Sequence, residues 1–341
     1  MPTTCGIEYE DNPSKVFYAG QLIRGRVKFI LTEDKNIRGV YVQLYGRGFT
    51  SWSEGCSRDQ KTYTDQEFYL NERTYLVGGT GEMKLVSGTY IYNFQFTLPV
   101  GLPSSISGSD GFVKYAARVA FEVQFWPNKY FDNYFTVIKS SDLNHTPALR
   151  EPVLVEGTYM YSKSHILCCK NLDPLKISVR SPIGGYTPGE MINLQINVNN
   201  QSRESIREFS VKFVKKITYR KRANNIQHKL ERMTMAKIVV GGCEKYQNKT
   251  INAEIQVPFT PPSTDCTADN IINIEYVVCV TGVVSWLHVD PIIDLPLTIG
   301  THSIQNNTQA SIEELPGSPP SYPNDDPPTY EEAMHCTDFP F

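Results

Sequence analysis

The feature that most constrains this chain is the recurrence of apolar residues at every second position. Tyr90, Tyr92, Phe94, Phe96 and Leu98 fall on one side of an extended segment, with Asn93, Gln95 and Thr97 on the other. Successive side chains of a strand point to opposite faces, so the pattern predicts a strand with one buried and one wet face. It returns in Tyr115, Ala117, Val119, Phe121, Val123 and Phe125, in Ile192, Leu194, Ile196 and Val198, and in Ile272, Ile274, Tyr276 and Val278. No segment of comparable length carries helical spacing. Many one-sided strands punctuated by Gly, Pro and Asn predict an all-β fold of immunoglobulin-like, antiparallel β-sandwiches, whose paired sheets bury their apolar faces against each other.

Two such sandwiches in tandem are predicted, because 341 residues exceed one ordinary domain and the halves echo each other. Leu98-Pro99, Pro103-Ser104-Ser105 and the strand around Tyr115 recur as Val257-Pro258, Pro262-Ser263-Thr264 and the strand around Ile274, at an offset of 159. Gly20-Gln21-Leu22-Ile23 opens the first half as Gly189-Glu190-Met191-Ile192 opens the second. The predicted domains are residues 1–160 and 161–300, with the boundary in the stretch 156–172. Beyond Gly300 the character changes: residues 301–341 hold seven acidic residues, no Lys or Arg, and seven prolines. Such a segment buries too little apolar surface to offset its ordering entropy and is predicted to be a disordered tail. The acidic tail leaves the body basic, since all 33 Lys and Arg lie before it.

The tail carries two PPxY motifs, Pro319-Pro320-Ser321-Tyr322 and Pro327-Pro328-Thr329-Tyr330. Adjacent prolines hold a polyproline II helix in advance, lay flat rings into an aromatic groove, and leave the Tyr to fill a neighbouring pocket. This is WW-domain recognition chemistry, read on Pro319, Pro320, Tyr322, Pro327, Pro328 and Tyr330. The tyrosines are eight residues apart, roughly 25 Å at ~3.1 Å per residue, which is near the limit for two WW domains bound side by side. Phosphate on either Tyr adds charge and bulk to a group meant for an apolar pocket and is expected to weaken docking.

A second candidate is the run Lys212–Arg232, with eight Lys or Arg and one acid, Glu231. It reads as a hairpin whose Lys212, Lys215, Lys216, Arg220, Lys221 and Arg222 form a candidate patch for acidic cargo or an anionic membrane surface. A solvated loop between two strands is the alternative. Nucleic acid is not expected as a partner, because the domain is only mildly basic and no aromatic-basic signature accompanies the run. Eight scattered cysteines make no disulfide framework, and no CxxC pair suggests a metal. Cys168-Cys169 is a candidate lipidated or redox pair, and Cys243, beside Gly241-Gly242, a candidate accessible thiol at a turn. No GxSxG, HExxH or P-loop is present and the six His do not cluster, so no catalytic residue, cofactor or metal is predicted. No apolar stretch reaches the ~20 residues of a membrane helix and no secretory signal follows Met1, which gives a cytoplasmic expectation.

In order along the chain, Tyr18 to Gly25, Gly39-Val40 through Gly46, Phe96 to Pro99 with Leu102 to Ser105, Tyr186 to Glu190, Asn199 to Ser202 and Leu297 to Thr301 resemble the α-arrestins, arrestin domain-containing proteins related to thioredoxin-interacting protein. The resemblance implies two arrestin sandwiches that engage the cytoplasmic parts of membrane receptors or transporters. It implies a tail that brings a WW-domain HECT-type ubiquitin ligase to that cargo, with recruitment to the plasma membrane and endosomes. It also raises two alternatives, a redox-responsive thioredoxin partner acting through Cys243, and a structural sorting component similar to the arrestin-like subunits of retromer. The family's PPxY motifs usually lie further apart on a longer tail, and the charged phosphate-sensing core of visual arrestins has no identifiable counterpart here.

Overall fold

The computed structural model describes residues 4–10, 12–56, 59–123, 127–161, 173–222, 226–265, 270–285 and 288–305. Among them are eighteen strands, two short 3-10 turns and no α-helix. In chain order the strands are Thr4–Tyr9 (β1), Val16–Tyr18 (β2), Leu22–Leu31 (β3), Lys35–Glu54 (β4), Lys61–Leu85 (β5), Gly88–Thr97 (β6), Ile106–Gly108 (β7), Gly111–Glu122 (β8) and Lys129–Ile138 (β9), then Val153–Met160 (β10), Pro174–Ser181 (β11), Gly185–Tyr186 (β12), Met191–Asn200 (β13), Ile206–Lys221 (β14), Gln227–Cys243 (β15), Asn248–Gln256 (β16), Ile272–Val283 (β17) and Ile292–Ile299 (β18). The first sandwich packs the sheet β1-β3-β6 against β2-β9-β8-β4-β5, with β7 added on β8; the second packs β10-β11-β13-β16 against β12-β18-β17-β14-β15.

Alternation decides which side chains meet. In β3, Ile23, Val27, Phe29 and Leu31 are buried, while Arg24, Arg26 and Lys28 face solvent. Phe29 stacks on Tyr90 of β6 at 5.1 Å and meets Phe121 of the facing sheet edge-on at 5.0 Å. Inward residues of both sandwiches belong to one contiguous core.

The repeat read from the sequence is a repeat of geometry. Gln21 N–H donates to Tyr18 C=O and Glu190 N–H to Thr187 C=O, closing two tight turns before β3 and β13. Their third residues, Gly20 and Gly189, sit at φ of 89° and 92°, a left-handed conformation that favours glycine. The pairing then repeats in register: Leu22 opposes Thr97 and Arg24 opposes Gln95, as Met191 opposes Gln256 and Asn193 opposes Glu254. Tyr115 and Tyr276, both buried, donate their hydroxyls to the carbonyls of Pro103 at 2.7 Å and Pro261 at 2.6 Å.

Two features differ from expectation. The boundary was expected after residue 160, yet β10 pairs with β11 along its whole length, Val153 opposite Ser181 to Met160 opposite Pro174. Hydrogen bonding thus places Val153–Met160 on the second sandwich as an edge strand. The other feature concerns β8 and β17, expected to have one wet face and buried on both. Ala116 and Ala120 in β8, and Val277 and Cys279 in β17, are covered from outside. Both are central strands, flanked by long side chains. Beside Ala116 and Ala120, the Arg118 guanidinium lies 4.5 Å from the Tyr45 ring and 4.7 Å from the Tyr130 ring.

Candidate functional site

The basic run is the hairpin that the sequence predicts: β14 and β15 pair from Ile206 opposite Cys243 to Lys221 opposite Gln227. Its cations do not form one free patch. Lys215 falls on the inward face, only 8% exposed, and desolvation pulls its pKa below the ordinary lysine value. Lys216 pairs with Asp294 at 3.3 Å, and Arg220 lies beside the Asn273 amide. Lys221 sits 5.6 Å from the Tyr63 ring of the first sandwich. Arg222 reaches the same sandwich, its N–H donating to Asp65 at 2.8 Å and its guanidinium to Glu67 at 3.3 Å. Lys212 lies on the outer face and makes no ion pair among the described residues.

The Lys221–Gln227 end of the hairpin, where β14 leads into β15, is therefore bolted to the first sandwich. Thr50, fully buried, donates its hydroxyl to Arg220 C=O at 3.1 Å. From the turn between β7 and β8, Asp110 receives Lys229 at 2.8 Å. Glu231, the one acid in the basic run, accepts the Ser109 N–H at 3.2 Å, the Ser109 hydroxyl at 3.0 Å and the hydroxyl of buried Tyr219. Gly108 lets the turn approach this closely, since a Cβ there would lie 1.9 Å from the Tyr219 hydroxyl oxygen. At a second contact, Ser141 and Thr301 exchange hydrogen bonds, and Asn144 donates to Ser303 C=O at 2.8 Å. Reading the sequence for cations alone missed Asp65, Glu67, Ser109, Asp110, Tyr219 and Glu231. The usable signal was a lone acid in a basic run, together with the turn Gly108-Ser109-Asp110-Gly111.

Cys243 is not an accessible thiol. It is 2% exposed at the end of β15, its Sγ faces the carbonyls of Glu244 and Gln247 at 3.5 and 3.4 Å, and burial raises its pKa. A raised pKa keeps the sulfur as the thiol, which is the unreactive form. Cys168, Cys169 and both PPxY motifs, Pro319, Pro320, Tyr322, Pro327, Pro328 and Tyr330, lie outside the described residues, as does the tail whose disorder the sequence predicts. Among the described residues no group of His, Cys, Asp and Glu could hold a metal ion, and no helix is long and apolar enough to cross a membrane.

This pair of bolted sandwiches is the arrestin arrangement. Residues 5–144 match the arrestin (or S-antigen) N-terminal domain and residues 171–304 the arrestin (or S-antigen) C-terminal domain, so the chain belongs to the arrestin family. Neither matched domain is a catalytic one. The relatives are arrestin domain-containing and thioredoxin-interacting proteins. The chain is 27% identical to arrestin domain-containing protein 17 of Caenorhabditis elegans over 74% of its own length, and spans 61% of that protein, less than two thirds. It is 26% identical to thioredoxin-interacting protein of Sus scrofa and 25% identical to that of Homo sapiens, in each case over 96% of this chain and 82% of the relative.

Proposed function

We propose that this chain is an adaptor that links membrane cargo to a WW-domain ubiquitin ligase of the HECT type, for ubiquitination, endocytosis and endosomal sorting. The observation that carries the reading is the joining of two arrestin domains to a segment with PPxY at 319–322 and again at 327–330. A body fixed by hydrogen bonds and ion pairs between its halves supports a gripping role toward the cytoplasmic parts of receptors or transporters. Proline-stiffened tyrosines suit aromatic clefts on a second protein. In this reading the protein works in the cytoplasm and is drawn to the plasma membrane and endosomes by its cargo. Contact with anionic lipid falls to Lys212 and to the outward Arg24 and Lys28, because the other cations of the candidate patch are buried or engaged and Arg26 pairs with Glu8.

The test is capture by immobilised tandem WW domains. Wild-type chain is expected to bind and Tyr322→Ala plus Tyr330→Ala to abolish binding; retention by the double variant would refute the reading. A second reading, thioredoxin binding through a mixed disulfide at Cys243, draws on the name of the mammalian relatives. The buried, raised-pKa thiol weighs against it, and equal thioredoxin capture by Cys243→Ser would remove it.

A further inference from the structure

We propose that Ser109 is a phosphorylation site whose modification unlocks the first sandwich from the β14–β15 hairpin. Three hydroxyls bond across or beside this part of the seam. Thr50 and Tyr219 are fully buried, whereas Ser109 is exposed at the tip of the turn joining β7 and β8. Gly108 and Gly111, paired with each other, flank the tip, where Ser109 is exposed and the Asp110 side chain is turned toward Lys229. A protein kinase with a cationic substrate cleft fits this site, because Asp110 follows directly and the Glu231 carboxylate lies beside it.

In the unmodified turn the Ser109 hydroxyl donates to Asp110 at 2.8 Å and to Glu231 at 3.0 Å, and its N–H also donates to Glu231. Phosphorylation forms a bond between Ser109 Oγ and the γ-phosphorus of a nucleoside triphosphate. The bond to the β-phosphate oxygen breaks, the nucleoside diphosphate leaves, and the hydroxyl proton passes to solvent. A donor is thereby replaced by a group of charge about −2 beside two carboxylates. Lys229 is bound to Asp110, so the phosphate gains that cation only by stripping it from Asp110. Lys215 interacts electrostatically with Glu231 but is buried on the inward face of β14. Like-charge repulsion at hydrogen-bond distance therefore pushes the turn off Glu231, and with it the Asp110 carbonyl that holds Ser51 N–H at 2.8 Å.

Two measurements test this on the full chain. Phosphoserine installed at 109 during synthesis is expected to lower hydrogen-exchange protection of Gly111–Val113 and Thr218–Tyr219 by about tenfold or more, the scale of one or two lost charge-assisted bonds. Adding Glu231→Gln to the phosphorylated chain should restore part of that protection, and Ser109→Ala alone should leave it within about twofold of wild type. A smaller loss with phosphoserine, or no recovery with Glu231→Gln, overturns the proposal. In parallel, mass spectrometry of the chain from its native cells under phosphatase inhibition should find phosphate on Ser109; only unmodified Ser109 would equally overturn it.

Discussion

Strands β3 and β13 occupy the same place in their sandwiches, follow the same glycine turn and pair in the same register, yet they share only their inward half. At an offset of 169, the buried Ile23, Val27 and Phe29 become Ile192, Ile196 and Val198, while the outward Arg24, Arg26 and Lys28 become Asn193, Gln195 and Asn197. Position 8 on the neighbouring strand, Glu8 opposite Arg26, becomes Arg180 opposite Gln195. The inward series is held by packing, which tolerates exchange among apolar side chains of suitable volume. Outward positions carry little folding energy, so the two halves were free to diverge there. The contrast separates, in these two strands, a shared packed inner face from a divergent outer one.

The largest expected effect is a core truncation that sorts the two strands. Phe29 touches aromatic rings in both sheets, whereas Val198 is a smaller plug at the matching place. Phe29→Ala should destabilise the first sandwich by about 3–5 kcal/mol and Val198→Ala the second by clearly less, read as loss of hydrogen-exchange protection in each sandwich. Equal costs would mean that the shared register does not imply shared packing.

Next comes the inward position that turns from apolar to polar. Leu31 of β3 is apolar core, and its counterpart Asn200 is 1% exposed. The Asn200 amide donates to the carbonyls of Glu204 at 2.7 Å and Glu244 at 3.0 Å, and accepts from the Ser202 N–H and hydroxyl at 3.0 and 2.6 Å. Asn200→Ala leaves those groups unpaired and should cost about 2–4 kcal/mol, localised to residues 200–205 and 243–247.

A third effect concerns acid. Asp294 accepts two hydrogen bonds from Arg232, at 2.8 and 2.9 Å, and titrates at about 2 instead of the ordinary 3.8. Its stabilising contribution is complete above the ordinary value and fades as pH falls from there through about 2. Removing it by Asp294→Asn should flatten the acid limb of the second sandwich's stability by about 1–2 kcal/mol, discounted because the pair is partly exposed. In the first sandwich Arg118 lowers Asp132 in the same direction, so Asp132→Asn should flatten the other limb.

These cases show what was legible in the sequence. Period-two alternation specified the strands, and the glycine and proline echoes specified the repeat, because both are local consequences of backbone geometry. The assignment of β10 was not local: Val153–Met160 alternates equally well whichever sheet it joins, and only β11 decides. The engagement of the cationic run was hidden for a related reason. Counting Lys and Arg cannot reveal that Asp65, Glu67 and Asp110, more than 100 residues earlier, fold back to meet Arg222 and Lys229. The alternating Arg24, Arg26 and Lys28 were visible in the sequence but dispersed among apolar residues, and only the fold shows them as one outward row.

The smallest expected effect tests the claim on which the comparison rests. Glu8 and Arg26 sit directly opposite on β1 and β3 with a 2.7 Å contact, and both side chains are 58% exposed. At that exposure the Coulomb attraction is screened and partly offset by the entropy of holding two long side chains in place. Glu8→Gln should therefore shift stability by less than about 0.5 kcal/mol at physiological salt. The same substitution removes the acid paired with Arg26 and leaves the outward row more positive, which should strengthen retention on anionic vesicles. A stability loss above about 1 kcal/mol would instead show that this outward pair supports the fold as the core does, and the separation between a structural inner face and a freely diverging outer face would fail at the first place it was tried.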